Sequence, residues 1–347
     1  MFSLNPLRLR RRPLCKRGLI AFAILTLWML SIAGSAFAAE FELLNVSYDP
    51  TRELWRQVNE KFSAAYAKTG NTLKIKQSHG GSSAQARAVI DGLEADVVSL
   101  AMWPDTDAIR KAGLINEGWE ERLPNRSLPY TSTIVFVVRK GNPKGIKDWP
   151  DIVKPGVEIV TPNPKTSGNG KLSFLVAWGS VTTRGGSQED AKAFVTKLYK
   201  QAPVLDSGAR GAMTTFAQKG IGDVNLAWEN EAHLAVNESN GELEIVYPPI
   251  SVLAEPHVAV VDANAKRHGT SDVAKAYLEF LYTPEGQDIV ANNFYRPSNP
   301  EAAQRHAAKF PAIQLFPLTA VAKDWTEAND KFFATGAVFD TIYSPGR

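Results

Sequence analysis

The sequence predicts an α/β protein of two lobes, each a mainly parallel sheet flanked by helices. Three observations carry this reading. Short β-branched runs alternate with runs that favour helix, the order that places a parallel sheet between covered faces. The points where a strand run gives way to a helix carry Gly, Ser or Asp. The chain that follows an N-terminal leader, about 309 of the 347 residues, is large for one hydrophobic core.

The leader is read as residues 1–38. Arg8, Arg10, Arg11, Arg12, Lys16 and Arg17 form a basic start, Leu19 to Ile32 an apolar stretch, and Ala36-Phe37-Ala38 a small-x-small cleavage signal. The apolar run is shorter than the ~20 residues a spanning helix needs, so the expectation is a cleaved signal peptide and a soluble, exported protein. The general secretory route is favoured over the twin-arginine route, because Arg11-Arg12 is a lone dibasic pair. The leader's six charged residues are all basic. Its loss lowers the basic count from 39 to 33 against 36 acidic residues, and net charge moves from +3 to −3. That balance does not describe a nucleic-acid binder, and an anion site in this chain must rely on local dipoles. Cys15, the single cysteine, leaves with the leader, so neither disulfide nor thiol chemistry is expected.

Phe41 to Tyr48 reads as a strand. Asp49-Pro50 then reads as a capped helix start, and Leu54, Val58, Phe62 and Tyr66 recur every fourth residue on one apolar face until Gly70. Thr72 to Lys76 is β-like and leads through Gln77-Ser78-His79-Gly80-Gly81-Ser82-Ser83 into a helix ending near Gly92. Ala95 to Ala101 and Thr131 to Val138 are further strands. Val157 to Thr161 empties into a Pro-, Ser- and Gly-rich loop before a helix from about Lys171 to Trp178. An amphipathic helix follows from Gln188 to Gln201. Pro203 to Leu205 is a short strand before Asp206-Ser207-Gly208-Ala209 and a helix to Gln218. Val224 to Trp228 is a strand, Val252 to Val261 a second crossing strand, and Ser271 to Tyr282 a helix. The expected division is residues 39–130 with 252–347 in one lobe and 131–251 in the other, with hinges near 131–138 and 251–261.

Four strand-to-helix junctions stand out: Asp49-Pro50, Gly80 to Ser83, Ser167 to Gly170, and Ser207 to Ala209. In an open α/β sheet such junctions lie at the carboxyl ends of strands, where ligands bind. Each helix start offers unpaired N–H groups and the positive end of a dipole of about half a charge. Several aimed at one point suit a small oxyanion without a cation beside it. Gly and Ser also cap helices in every α/β protein, so the junctions alone do not name a ligand. Trp228, at a strand end, is either a core residue or an N–H donor. The residues leave Arg210 open between a countercharge and an ordinary surface residue.

Catalytic chemistry finds little support. The five histidines, His79, His233, His257, His268 and His306, show no metal-ligand spacing, and no Gly-x-Ser-x-Gly elbow is present. Asn169-Gly170-Lys171-Leu172 lacks the leading glycine and the Ser or Thr of a phosphate loop. His79 is expected to order its loop, and Glu229 and Glu231 to be solvated or structural. No cofactor and no metal are expected.

The chain resembles bacterial periplasmic sulfate-binding proteins, the receptors of sulfate/thiosulfate ABC transporters. The resemblance rests on Asn45-Val46-Ser47-Tyr48-Asp49-Pro50-Thr51-Arg52-Glu53-Leu54, Gln77-Ser78-His79-Gly80-Gly81-Ser82 and Pro129-Tyr130-Thr131-Ser132-Thr133. It continues at Thr161-Pro162-Asn163-Pro164-Lys165, Leu205-Asp206-Ser207-Gly208-Ala209-Arg210-Gly211, Ala227-Trp228-Glu229-Asn230-Glu231 and Asn293-Phe294-Tyr295-Arg296-Pro297, covering nearly all of the mature chain in order. It implies a two-lobed periplasmic binding protein fold of type II, with the ligand in the interlobe cleft. It implies donors from the Asp49 amide, the Ser82 hydroxyl, Ser167, the amides of Gly168, Asn169 and Ala209, and the Trp228 indole. Asn169 stands where the family commonly has a second glycine. The implied partners are sulfate and an ABC-type membrane permease, with a monomeric receptor that is not an enzyme. The alternatives are thiosulfate, molybdate as a more distant oxyanion, and a secreted hydrolase of sulfate or phosphate esters.

Overall fold

The computed structural model describes residues 40–343. The expected leader, with Cys15, lies outside the described residues. Along the chain the first elements are β1 (Glu40–Tyr48), α1 (Arg52–Ala67), β2 (Thr72–Gly80), α2 (Ser82–Ile90), β3 (Val97–Leu100) and α3 (Trp103–Lys111). Then come β4 (Tyr130–Thr131), β5 (Ile134–Arg139), β6 (Ile159–Pro162), α4 (Gly168–Thr182), α5 (Gln188–Lys200), β7 (Leu205–Asp206), α6 (Ala209–Ala217), β8 (Val224–Trp228) and α7 (Glu229–Glu238). The chain continues through β9 (Leu243–Val246), β10 (Ile250–Val252), β11 (His257–Val260), α8 (Asp262–His268), α9 (Ser271–Phe280), α10 (Pro284–Asn292), β12 (Arg296–Pro297) and β13 (Gln314–Phe316).

Two larger sheets organise these elements. The first has the order β11-β3-β1-β2 and the second β7-β6-β8-β5-β9. In the first, β1 runs parallel to β2 and β3, and only β11 is antiparallel. The second is mixed rather than mainly parallel. β6 is parallel to β7 and β8, but β5 is antiparallel to both β8 and β9. The physical reason is the path of the chain. β5 reaches the second sheet directly from β4, which pairs with β12, and no helical crossover of the kind that enforces parallel pairing precedes it.

The long run from Thr131 breaks into β4 and β5 because the chain changes neighbours there. Ser132 and Ala254 exchange main-chain hydrogen bonds of 3.0 and 2.9 Å, and the Thr133 hydroxyl donates to Val252 O at 2.8 Å. The expected strand from Val252 to Val261 breaks at the same contact, where Pro256 removes a donor. The first helix also starts later than expected. Asp49–Thr51 form a short 3-10 turn, α1 begins at Arg52, and the Asp49 carboxylate accepts from Arg52 Nη2 at 2.7 Å instead of capping the helix.

α4 is buried on nearly every side, with Leu172, Phe174, Leu175, Val176, Ala177 and Trp178 all in the core. A helix apolar all round belongs inside a protein. It supports the site from beneath, and Phe332, Phe333 and Phe339 from the C-terminal segment cover it, with ring centroids 5.3 to 6.3 Å from Phe174. Gly179 lets Phe316 of β13 pack directly on α4, since a Cβ there would meet its ring. Among the described residues no helix is long and apolar enough to cross a membrane.

Candidate functional site

All seven residues expected to hold an anion line one small cavity, together with Tyr48, Pro50, Gly80, Gly81 and Ala101. Asp49 follows directly on the end of β1, Ser82 opens α2, Ser167 precedes α4, Gly168 and Asn169 open it, Ala209 opens α6 and Trp228 ends β8. First-turn N–H groups of three helices therefore converge from both sheets, because each helix start follows the carboxyl end of a strand.

Glycines allow the convergence. A Cβ on Gly81 would lie 2.4 Å from Thr166 O, on Gly168 2.6 Å from Ala101 Cβ, and on Gly208 2.2 Å from Asp49 Oδ2. Backbone faces backbone across the cleft at Gly81, where no side chain fits.

The hydroxyls differ in what they have left to give. Ser167 caps α4, its Oγ accepting from Gly170 N at 3.4 Å, and its own proton is taken by none of the hydrogen bonds among the described residues. The Ser82 Oγ accepts from Ala101 N at 3.0 Å and donates to Asp105 Oδ2 at 2.5 Å. Its proton is therefore committed to Asp105, and what Ser82 offers the cavity is its main-chain N–H. The Trp228 side chain is buried with its ring 5.5 Å from that of Tyr48, and its indole N–H has no partner among the described residues.

Charges near the cavity come compensated. Asp49 is paired with Arg52 at 2.7 Å. Asp105 accepts from Ser82 and from Ser83 Oγ at 2.9 Å, with Lys171 Nζ 3.9 Å away and itself donating to Ser83 Oγ at 3.0 Å. Arg210 binds Glu231 through Nε and Nη2 at 2.9 and 2.7 Å and reaches Glu53 at 3.1 Å. Burial works against the Arg210 charge, but Glu231 and Glu53 outweigh it and raise its pKa further. Arg210 is thus a paired countercharge and contributes no free cation. Glu229 and Glu231 are both buried and structural rather than solvated, Glu229 pairing with Arg296 at 2.7 and 2.8 Å. His79 lies in β2, not in the expected loop, and ties that strand to β1, with Ser47 Oγ 2.7 Å from Nδ1 and Gln77 Oε1 2.5 Å from Nε2. Burial, with Arg52 and Arg210 nearby, lowers its pKa to about 4, so it is neutral at pH 7. Asp105, Lys171, Glu53 and Tyr48 escaped the sequence reading. Asp105 carried one signal, a Pro-Asp helix start at Pro104-Asp105.

Among the described residues no group of three or more His, Cys, Asp or Glu is placed to hold a metal ion. The fold, with helix starts from both sheets meeting at one small cavity, is that of a solute-binding protein. The model for the family described as "Bacterial extracellular solute-binding protein" matches residues 44–296. The sulfate-binding protein of Escherichia coli K12 is 52% identical over 319 residues, which is 91% of this chain and 97% of that one. The thiosulfate-binding protein of Pseudomonas aeruginosa PAO1 is 50% identical over 319 residues, 91% of this chain and 96% of that one. Among solved structures, the sulfate-binding protein SubI of Mycobacterium tuberculosis H37Rv superposes with a TM-score of 0.77 at 29% identity, covering 84% of this chain and 99% of that one. The chain belongs to the bacterial extracellular solute-binding proteins, in the family of sulfate- and thiosulfate-binding receptors of ABC transporters. These are receptors, not enzymes.

Proposed function

We propose that the protein captures sulfate between two lobes, residues 39–130 with 252–347 and residues 131–251, and delivers it to an ABC-type permease from the periplasm. The observation that carries this is one small cavity lined by the first residues of α2, α4 and α6 together with Ser167 and Trp228. In this reading the donors are the main-chain N–H groups of Asp49, Ser82, Gly168, Asn169 and Ala209, with the Ser167 hydroxyl and the Trp228 Nε1. Sulfate at neutral pH only accepts hydrogen bonds, so an all-donor lining satisfies it completely. The dipoles of three helix starts supply positive potential without a free cation. Phosphate keeps a proton that needs an acceptor, and the nearby carboxylates of Asp49 and Asp105 are already engaged by Arg52, Ser82 and Ser83. Specificity then comes partly from exclusion.

Thiosulfate is the second reading, favoured by the 50% identity to the Pseudomonas aeruginosa protein. It keeps three oxygens, and the same donors serve it. Competition between the two anions on ligand-stripped protein separates the readings. A sulfate receptor holds sulfate against an equal concentration of thiosulfate, and the reverse result assigns thiosulfate.

A further inference from the structure

The Asn169 side chain does a second job at the site. It is 1% exposed, and only one orientation of its carboxamide gives every neighbour a partner. In that orientation Nδ2 donates to Leu226 O at 3.1 Å and to Ser173 Oγ at 3.2 Å, while Oδ1 accepts from the main-chain N–H of Trp228 at 3.2 Å. Leu226 O and Trp228 N are the groups that a parallel neighbouring strand would engage opposite Ala227. One residue of a parallel partner donates to the residue before its opposite and accepts from the residue after it.

β6 is that neighbour, but it stops short. Its ladder with β8 covers Ile159 opposite Val224 and Val160 opposite Asn225. The Val224 N–H donates to Glu158 O, so Glu158, Val160 and residue 162 point toward β8. Residue 162 is proline, which has no N–H to give Leu226. The end of β8 that carries Trp228 would otherwise keep an unpaired carbonyl and an unpaired N–H in the interior, which is costly.

We propose that the Asn169 carboxamide supplies the donor that Pro162 lacks, together with an acceptor for the Trp228 main-chain N–H, and so is a positioning residue for the Trp228 indole. It locks the end of β8 to the first turn of α4. The main-chain donors of Gly168 and Asn169 and the indole donor of Trp228 then move as one rigid set. The inference rests on the anion-receptor reading for its effect on affinity, but not for the bridge itself.

The test uses Asn169→Gly and Asn169→Leu in the full mature chain. Both keep the main-chain N–H of residue 169 and lack the carboxamide, one leaving space and one filling it. Site-resolved hydrogen exchange at the Trp228 main-chain N–H, without ligand, reads the bridge. Titration with sulfate and with thiosulfate reads its effect on the site. The expected result in both variants is at least tenfold faster exchange at Trp228, with exchange in β1 unchanged, and about tenfold weaker binding. Unchanged exchange at Trp228 in both variants overturns the bridge. Faster exchange with unaltered affinity overturns the positioning role. If the unmodified protein binds neither anion, the receptor reading fails, and the exchange result still decides the bridge.

Discussion

Ser167→Ala separates the two roles of one hydroxyl. As a cap, the Oγ accepts from Gly170 N at 3.4 Å, a long bond at the start of the most buried helix. Losing a serine cap costs about 0.5–2 kcal/mol of stability, and the length of this bond places the loss toward the lower end. As a donor, the same oxygen presents an uncommitted proton to the small cavity that Ser167 lines. A hydrogen bond to a charged group contributes about 1.5–3 kcal/mol. That corresponds to roughly a tenfold to somewhat over a hundredfold loss of affinity. The two terms are read separately. Thermal melting of ligand-free protein reports the cap, and calorimetric titration with sulfate and thiosulfate reports the donor. The expected outcome is a small drop in melting temperature with a large drop in affinity for the bound anion. Affinity within twofold of the unmodified protein, with the fold intact, would remove Ser167 from the site and refute the all-donor cradle as drawn.

Other outcomes follow from neighbouring contacts. Gly81→Ala sets a Cβ 2.4 Å from Thr166 O, a backbone atom that cannot step aside. Binding should weaken at least tenfold, and the ligand-induced fall in radius of gyration by X-ray scattering should vanish; a normal fall would show that the two loops do not meet this closely when the lobes close. Glu53→Gln removes one partner of Arg210 across the cleft, but both groups are about one-third exposed and Glu231 remains. The expected loss is only about 0.2–1 kcal/mol, seen as faster ligand release at low salt, and a loss above tenfold would mean that Glu53 does more than pair with Arg210. His257 sits against Trp119, and burial above all lowers its pKa from 6.5 to about 4 despite the pull of Glu120. Between those pH values the unfolded chain binds a proton that the folded one refuses. Stability should therefore be full above pH 6.5 and fall as the pH is lowered toward 4, with His257→Gln flattening the slope in denaturant titrations. A profile that rises on acidification would reverse the sign.

The junctions were legible because their signals are local. Gly80-Gly81-Ser82, Ser167-Gly168 and Gly208-Ala209 announce a turn into a helix within a few residues, and the carboxyl ends of strands follow from the alternation of elements. The strand Val224–Trp228 was readable from its β-branched and apolar content, with its end at Trp228. What stayed hidden depends on distance along the chain. The Asp105 contact to Ser82 spans 23 positions, and that of Lys171 to Ser83 spans 88. No local pattern encodes either, so nothing near Ser82 in the chain shows that its hydroxyl proton belongs to Asp105. The mixed second sheet was missed for the same reason. The direction of β5 is set by its direct passage from β4, which pairs with β12, and its Val-rich run is equally compatible with either pairing. The sequence offers Asn169 only as a main-chain donor, because the gap its side chain fills arises from Pro162 and β8 together.

Calorimetric titration of the ligand-stripped mature protein with sulfate, thiosulfate, molybdate and phosphate, at pH 5 and pH 8, tests the central claim most directly. A lining of donors alone predicts tight binding of sulfate or thiosulfate at both pH values, with phosphate silent at each. Phosphate binding, or no anion binding at either pH, would mean that the four junctions only cap their helices and that the cavity is not an anion site.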